Sequence, residues 1–146
     1  MITRACFAFA FLALGSSCAY PSVVMRVESW SRVEREGAPC LAADMEYDVG
    51  LAKVLTDYGQ RAFVWLGPAA GDPADCIIGR WGARGVGAGP VIYFRLDTLH
   101  QANKGVVLAD RVALRLVVQW PYSYDVVATL DGLDPAQIGL RGVVLK

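Results

Sequence analysis

Apolar and polar residues recur along this chain with two different periods, and the period changes twice. From Ser22 to Trp30, Val23, Met25 and Val27 fall to one side and Val24, Arg26 and Glu28 to the other, a period of two that predicts a β-strand. Ser31 to Pro39 is charged and closes on Gly37-Ala38-Pro39, so it reads as a loop that delivers Cys40. From Leu41 the spacing lengthens: Met45, Val49, Ala52 (or Lys53) and Leu55 or Tyr58 lie on one helical face. Asp44 is the expected N-cap, and Gly59 is placed to end the helix in the left-handed conformation. Gly50 weakens the middle of that helix by about 1 kcal/mol relative to alanine.

Strands then return at hairpin spacing. Arg61 to Leu66 is short and aromatic-rich and closes on Gly67-Pro68; Ala69 to Pro73 is a turn cluster. Cys76 to Trp81 is a strand, Gly82 to Pro90 a glycine-dense connection, and Val91 to Leu99 an alternating strand. Asn103-Lys104-Gly105 signals a tight turn, across which Val106 to Leu108 can pair back. Ala113 to Trp120 is another strand, stopped by Pro121, and Val126 to Leu130 and Gly142 to Leu145 add two short ones. One helix among about six strands predicts an α+β fold, a mostly antiparallel sheet with one main amphipathic helix. A β-sandwich with one helix is the alternative.

The start of the chain does not belong to that pattern. Arg4 is followed by an unbroken apolar run from Ala5 to Leu14 and by the small residues Gly15-Ser16-Ser17-Cys18-Ala19, which is the layout of a secretory signal peptide. Cleavage after Ala19 places small residues at both positions the peptidase inspects. It divides the chain into a leader, 1–19, and a single exported domain, 20–146, of about 127 residues. The apolar run is shorter than the ~20 residues a spanning helix needs. Cys18 offers a second route, lipidation, although Gly15 stands where a lipoprotein signal has a leucine-like residue. The expected location is therefore periplasmic or secreted, or the outer membrane through a lipid on Cys18.

Charge narrows the partners. The whole chain balances 14 Lys and Arg against 14 Asp and Glu, and loss of Arg4 leaves 13 against 14. Such a balance gives no nucleic-acid footprint and no polybasic membrane patch. Cys40 and Cys76 remain after processing, and an even pair in an oxidising compartment predicts a disulfide. Closing that loop of about 36 residues would stabilise the fold by roughly 3–4 kcal/mol in the chain-entropy model.

Catalytic chemistry finds little to stand on. His100, the sole histidine, precedes a turn, and Ser123 in Tyr122-Ser123-Tyr124 has no nucleophile-elbow context. One histidine and scattered carboxylates give no metal-ligand spacing, so no catalytic, cofactor or metal residue is assigned. Gly82, Gly85, Gly87 and Gly89 do not match a dinucleotide or phosphate loop and read as a flexible hairpin tip. Asp72, Asp75, Asp131 and Asp134 sit in turn contexts. The remaining candidates for an interaction surface are the loop glycines Gly85 and Gly87 and the aromatic group Trp120, Tyr122 and Tyr124.

One long stretch carries a resemblance. It runs through Leu51-Ala52-Lys53-Val54-Leu55, Phe63-Val64-Trp65, Ala74-Asp75-Cys76-Ile77-Ile78-Gly79-Arg80-Trp81, Val91 to Leu99 and Gly105-Val106-Val107-Leu108. This succession resembles the N-terminal domain of the translocation protein TolB and the periplasmic domains of curli-secretion and penicillin-binding-protein-activator lipoproteins. The resemblance covers about 60 residues. The chain departs from those families in its loop prolines and glycines, its two cysteines and its tail of strands. The resemblance implies a non-catalytic adaptor with protein partners in the cell envelope. The expectation is thus an interaction module without cofactor; a secreted hydrolase inhibitor presenting the Gly82 to Pro90 loop is the alternative, and a small enzyme using His100 comes third.

Overall fold

Strand alternation dominates the chain. The computed structural model describes residues 20–68, 76–97 and 110–140, and these build one antiparallel sheet of seven strands with a single α-helix. The strands are β1 (Val27–Arg35), β2 (Ala38–Met45), β3 (Ala62–Pro68), β4 (Ile77–Gly82), β5 (Val91–Arg95), β6 (Val112–Gln119) and β7 (Tyr124–Leu133). Helix α1 (Val49–Tyr58) lies between β2 and β3 and is followed by a 3₁₀ turn, Gly59–Arg61. The order across the sheet is β1-β2-β5-β4-β3-β6-β7, so α1 carries the chain past two strands that are inserted later. No second sheet packs on this one among the described residues.

The core lies on one face. Leu41, Ala43 and Met45 of β2, Ile92 and Phe94 of β5, Val64 and Leu66 of β3, and Leu114, Leu116 and Val118 of β6 are all buried there. They meet Leu51, Val54 and Leu55 of α1. Each such side chain stabilises the fold by roughly 1.5–3 kcal/mol through burial alone. Gly79 of β4 leaves room for the largest of them: a Cβ there would lie 2.5 Å from Phe94 Cε1 and 2.6 Å from Ile92 Cγ2. Beyond β7, Ile138 and Leu140 close the same core, and Arg32 of β1 donates to the Gly139 carbonyl. Seven flat strands would set β1 and β7 about 29 Å apart, six spacings of ~4.8 Å. The turn that spans 134–140 cannot cross that, so the sheet curls around its helix-side face.

Two expectations need correction, for opposite reasons. Leu41 to Met45 is strand, not the start of a helix, and the helix is capped by Asp48, whose Oδ2 accepts from the Leu51 amide at 2.9 Å. Strand β2 pairs on both sides, with β1 and β5, and buries Ala38, Cys40 and Ala42 on one face and Leu41 and Ala43 on the other. A strand buried on both faces loses its alternation, and its apolar run then matches helical spacing by accident. The expected loop from Ser31 to Pro39 is the outer half of β1, its turn, and the start of β2. As an edge strand β1 is exposed and charged, and it reverses at Glu36 and Gly37, with φ of 54° and 76°. Gly59 does end α1 with a positive φ, 47°, and its amide donates to the Leu55 carbonyl.

The expected Cys40–Cys76 disulfide is also corrected: both cysteines are buried and not joined to one another. The register explains why. Cys40 of β2 stands opposite Arg95 of β5, and Cys76 precedes β4 on the far side of β5. Two strand spacings exceed 9 Å, against a Cα separation of about 4.4–6.8 Å for a disulfide. The turn at Asn103 to Gly105 and the strands at Val106 to Leu108 and Gly142 to Leu145 lie outside the described residues.

Candidate functional site

The register lines up side chains in rows across the face turned away from α1. One row reads Val33, Cys40, Arg95, Ile78, Trp65 and Arg115; the next reads Ala42, Tyr93, Arg80, Phe63 and Val117. The two halves of this face differ. Over β3 and β6, Trp65, Cys76 and Val117 form a second buried cluster with Tyr124, whose ring centroid is 5.1 Å from that of Trp65. Over β5 and β4, Arg95 and Arg80 are exposed and Ile78 is 52% exposed.

A cavity of about 490 Å³ opens over that second half. Its origin is the size of three residues. Over this stretch strand β2 presents the small Ala38, Cys40 and Ala42, with Asp44 following at its far end, which leaves a trough between β1 and β5. Arg35 reaches across the trough from β1 and stacks on Tyr93, its guanidinium carbon 4.0 Å from the ring centroid. Gly82 lies beside both: a Cβ there would be at ordinary contact distance, 3.5 Å from Tyr93 Cε2 and 4.0 Å from Arg35 Nη1. Arg80 stands directly across from Tyr93 on β4. Phe63, Ile78 and Trp81 supply apolar wall, and Cys40 the floor.

The charges in the cavity are unevenly partnered. Arg95 forms a two-point pair with Asp97, Nε to Oδ1 at 3.1 Å and Nη2 to Oδ2 at 2.7 Å. Hydrogen bonding and charge from Asp97 raise the Arg95 pKa further above its ordinary value. Arg35 and Arg80 form no ion pair with any described residue, and Glu36 at the rim is paired to neither. Two guanidiniums thus flank one phenol ring with their N–H donors turned to no carboxylate. The thiol of Cys40 is held protonated by its burial, which raises its pKa; its Sγ–H donates weakly to the Ala38 carbonyl at 3.7 Å. A nucleophile is not what this floor provides.

A second cluster lies at the helix side. Asp125 of β7 is 2% exposed, and its Oδ2 accepts from the Tyr20 hydroxyl at 2.5 Å and from Trp120 Nε1 at 2.9 Å. Tyr58 packs between the rings of Tyr20 and Trp120, and Arg61 sits over Trp120 at 5.2 Å. Burial first, then the bond to Asp125, pushes the Tyr20 phenol well above its ordinary range. This cluster fastens the segment before β1 to the far strand of the sheet; its tyrosine is a fixed neutral donor, not a base.

The residues singled out from the sequence do not converge. Trp120 faces the Asp125 cluster, Tyr124 packs on Trp65 at the other face, and Tyr122 is 99% exposed at the β6–β7 turn. Gly85 and Gly87 form the β4–β5 turn, where the Ala88 amide donates to the Gly85 carbonyl. That loop is pinned at its base. Arg84 donates to the Gly89 carbonyl at 2.7 Å, the Met45 carbonyl at 2.6 Å and Glu28 at 2.9 Å. Asp134 caps its own turn, as expected, by accepting from the Ala136 amide. Cys18, Asp72, Asp75 and His100 lie outside the described residues. Arg35, Arg80 and Tyr93 went unread as site residues, although Tyr93-x-Arg95 and Ile78-x-Arg80 place arginine on the off-core parity of two central strands.

Among the described residues no three histidine, cysteine or acidic side chains come together as a metal site, and no helix is long and apolar enough to cross a membrane. No protein-family model, curated protein or solved structure matches the chain.

Proposed function

We propose that this is a non-catalytic, exported module of the cell envelope that works by binding a protein partner, and that the groove over β5 and β4 is its binding surface. The observation that carries the reading is the composition of that groove: apolar Ile78 and Arg80 on the central strand β4, with Arg35 reaching in from the edge strand β1, and neither guanidinium paired with a carboxylate. Exposed Ile78 beside two unpaired guanidiniums brings apolar contact and charge to one place, the combination a binding face uses. The leader supports the exported location, and cleavage after Ala19 would leave Tyr20, which holds Asp125, at the new N-terminus. The adaptor role implied by the TolB-like resemblance agrees with this reading.

Photo-crosslinking in cells tests it. A photoreactive residue at Ile78 should give one discrete protein adduct, and the same residue at Lys53, on the exposed side of α1, should give none. Absence of an adduct at Ile78 would remove the reading. Intact-mass measurement on protein from the same cells addresses location: a chain from Tyr20 to Lys146 means soluble export, and acyl chains on Cys18 mean a membrane tether.

One observation favours a second reading, a hydrolase inhibitor. The loop braced by Arg84 displays Val86 fully exposed between Gly85 and Gly87. Inhibition of a hydrolase that is lost on Val86→Asp would establish it, and failure across a panel of proteases and muramidases would discard it.

A further inference from the structure

Resting on the binding reading above, we infer that the groove recognises one carboxylate on an extended apolar segment of the partner: the carboxylate lies between Arg35 and Arg80, and the neighbouring apolar side chain lies on Ile78 and Phe63. Arg35 and Arg80 both flank Tyr93, and neither meets a carboxylate of the described residues. Two guanidiniums beside one ring repel one another until an anion joins them, and a carboxylate offers each a charge-assisted hydrogen bond.

Orientation follows. Arg35 is held by stacking, which fixes the guanidinium plane while leaving its N–H edge unused, so less side-chain freedom is lost on binding. Arg95 contributes differently. Its fork is already closed on Asp97 at 2.7 and 3.1 Å, so it forms wall rather than receptor. Asp97 and Glu36 then place negative charge at the margins, which limits the site to one acid and disfavours a polyanion such as nucleic acid.

Size and solvation set the rest. A volume of about 490 Å³ lies in the ~300–1,000 Å³ range of small-ligand pockets, room for a few side chains but not for a helix or a folded element. A purely apolar occupant would strip water from Arg80 and give nothing back, and a cationic one would meet three guanidiniums. Ile78 lies two residues before Arg80 on β4 and Phe63 directly across from Arg80 on β3, so a segment with acid and apolar side chains close together meets both.

The test uses the purified protein and an acetylated, amidated pentapeptide with one glutamate between two leucines, compared with the same peptide carrying glutamine. Side-chain Nε–Hε NMR signals of Arg35 and Arg80 report binding. The glutamate peptide should shift both saturably, and the glutamine peptide should bind about tenfold more weakly. Arg35→Gln and Arg80→Gln should each weaken the glutamate peptide about tenfold, and Lys53→Gln, the same charge change on α1, should change it less than twofold. Equal binding of the two peptides, no saturable shift, or arginine variants that behave as Lys53→Gln would each overturn the inference. The photo-adduct at Ile78 separates this from the broader reading. Its loss on Arg80→Gln supports the carboxylate clamp; its persistence overturns the clamp and leaves the binding reading standing. No adduct in the unaltered chain removes both.

Discussion

Phe94 and Tyr93 are neighbours on one strand and belong to two different surfaces. Phe94 is fully buried under α1, wedged over Gly79 and against Leu41. Tyr93 faces away, half-buried beneath the Arg35 guanidinium. The same contrast repeats along β4, where Gly79 lies under the core and Arg80 in the groove. One parity of these strands is filled with aliphatic and aromatic side chains because nothing else satisfies a closed core. The other parity over β4 and β5 carries charge and exposed apolar surface that folding does not require. Strand alternation thus separates what the fold needs from what remains for a ligand.

The largest loss is expected at Phe94. Phe94→Ala removes a ring from a site with no room to collapse around Gly79 and should destabilise the protein by about 3–5 kcal/mol in urea denaturation. Tyr93→Ala should cost about 1 kcal/mol, chiefly the lost stacking with Arg35. Equal losses at the two positions would mean that the groove face is as much a core as the helix face.

Glycines sharpen the same contrast at lower magnitude. Gly79→Ala forces a methyl group against Phe94 and Ile92 and should cost about 1–3 kcal/mol by overpacking. Gly82→Ala meets Tyr93 only at ordinary contact distance, 3.5 Å, and should change stability by less than about 0.5 kcal/mol. Thermal melts of the two variants, side by side, decide it.

How much of this was legible beforehand follows from burial. Strands β3 to β7 alternate or end at proline and glycine, and each was readable within a few residues. Strand β2 was not, because Cys40 to Met45 is buried almost throughout and its period disappears. The edge strand β1 hid for the opposite reason: exposed on most positions, its charged second half looks like a loop. The groove was illegible because it depends on register. Arg35, Arg80 and Tyr93 come from three strands, and only pairing across β2 and β5 sets them around one trough. The disulfide expectation failed on the same point, since an even cysteine count says nothing of the strand that separates them.

Tyr20 gives an effect visible in pH. Its phenol is pushed up from the ordinary value of 10.0 by burial and by Asp125. The unfolded chain therefore loses this proton at lower pH than the folded one. The associated stability is fully present below pH 10 and drains away as pH rises from 10 toward the folded-state value. Cys40, raised by burial, adds a slope of the same sign at alkaline pH. The diagnostic quantity is therefore the difference between the parent and Tyr20→Phe. Their urea midpoints should differ at pH 8 by about 1 kcal/mol of stability, for the lost hydrogen bond, and converge between pH 10 and 11. Parallel curves would mean that Tyr20 does not hold its proton on Asp125.

An equally small change is expected at Arg80, and it bears most directly on function. Arg80 is exposed, and it makes no ion pair within the described chain. Its aliphatic stem lies beside Tyr93 and Phe63, and glutamine keeps part of that cover while removing the charge. Arg80→Gln should therefore leave the urea midpoint within about 0.5 kcal/mol of the parent. A slight stabilisation is the more specific expectation, because removing one of two neighbouring guanidiniums relieves their repulsion, and that gain should shrink as salt is added. A loss of 2 kcal/mol or more would mean that the fold depends on this arginine. The groove would then be one more structural surface, and the contrast between the two faces of β4 and β5 would lose its functional meaning.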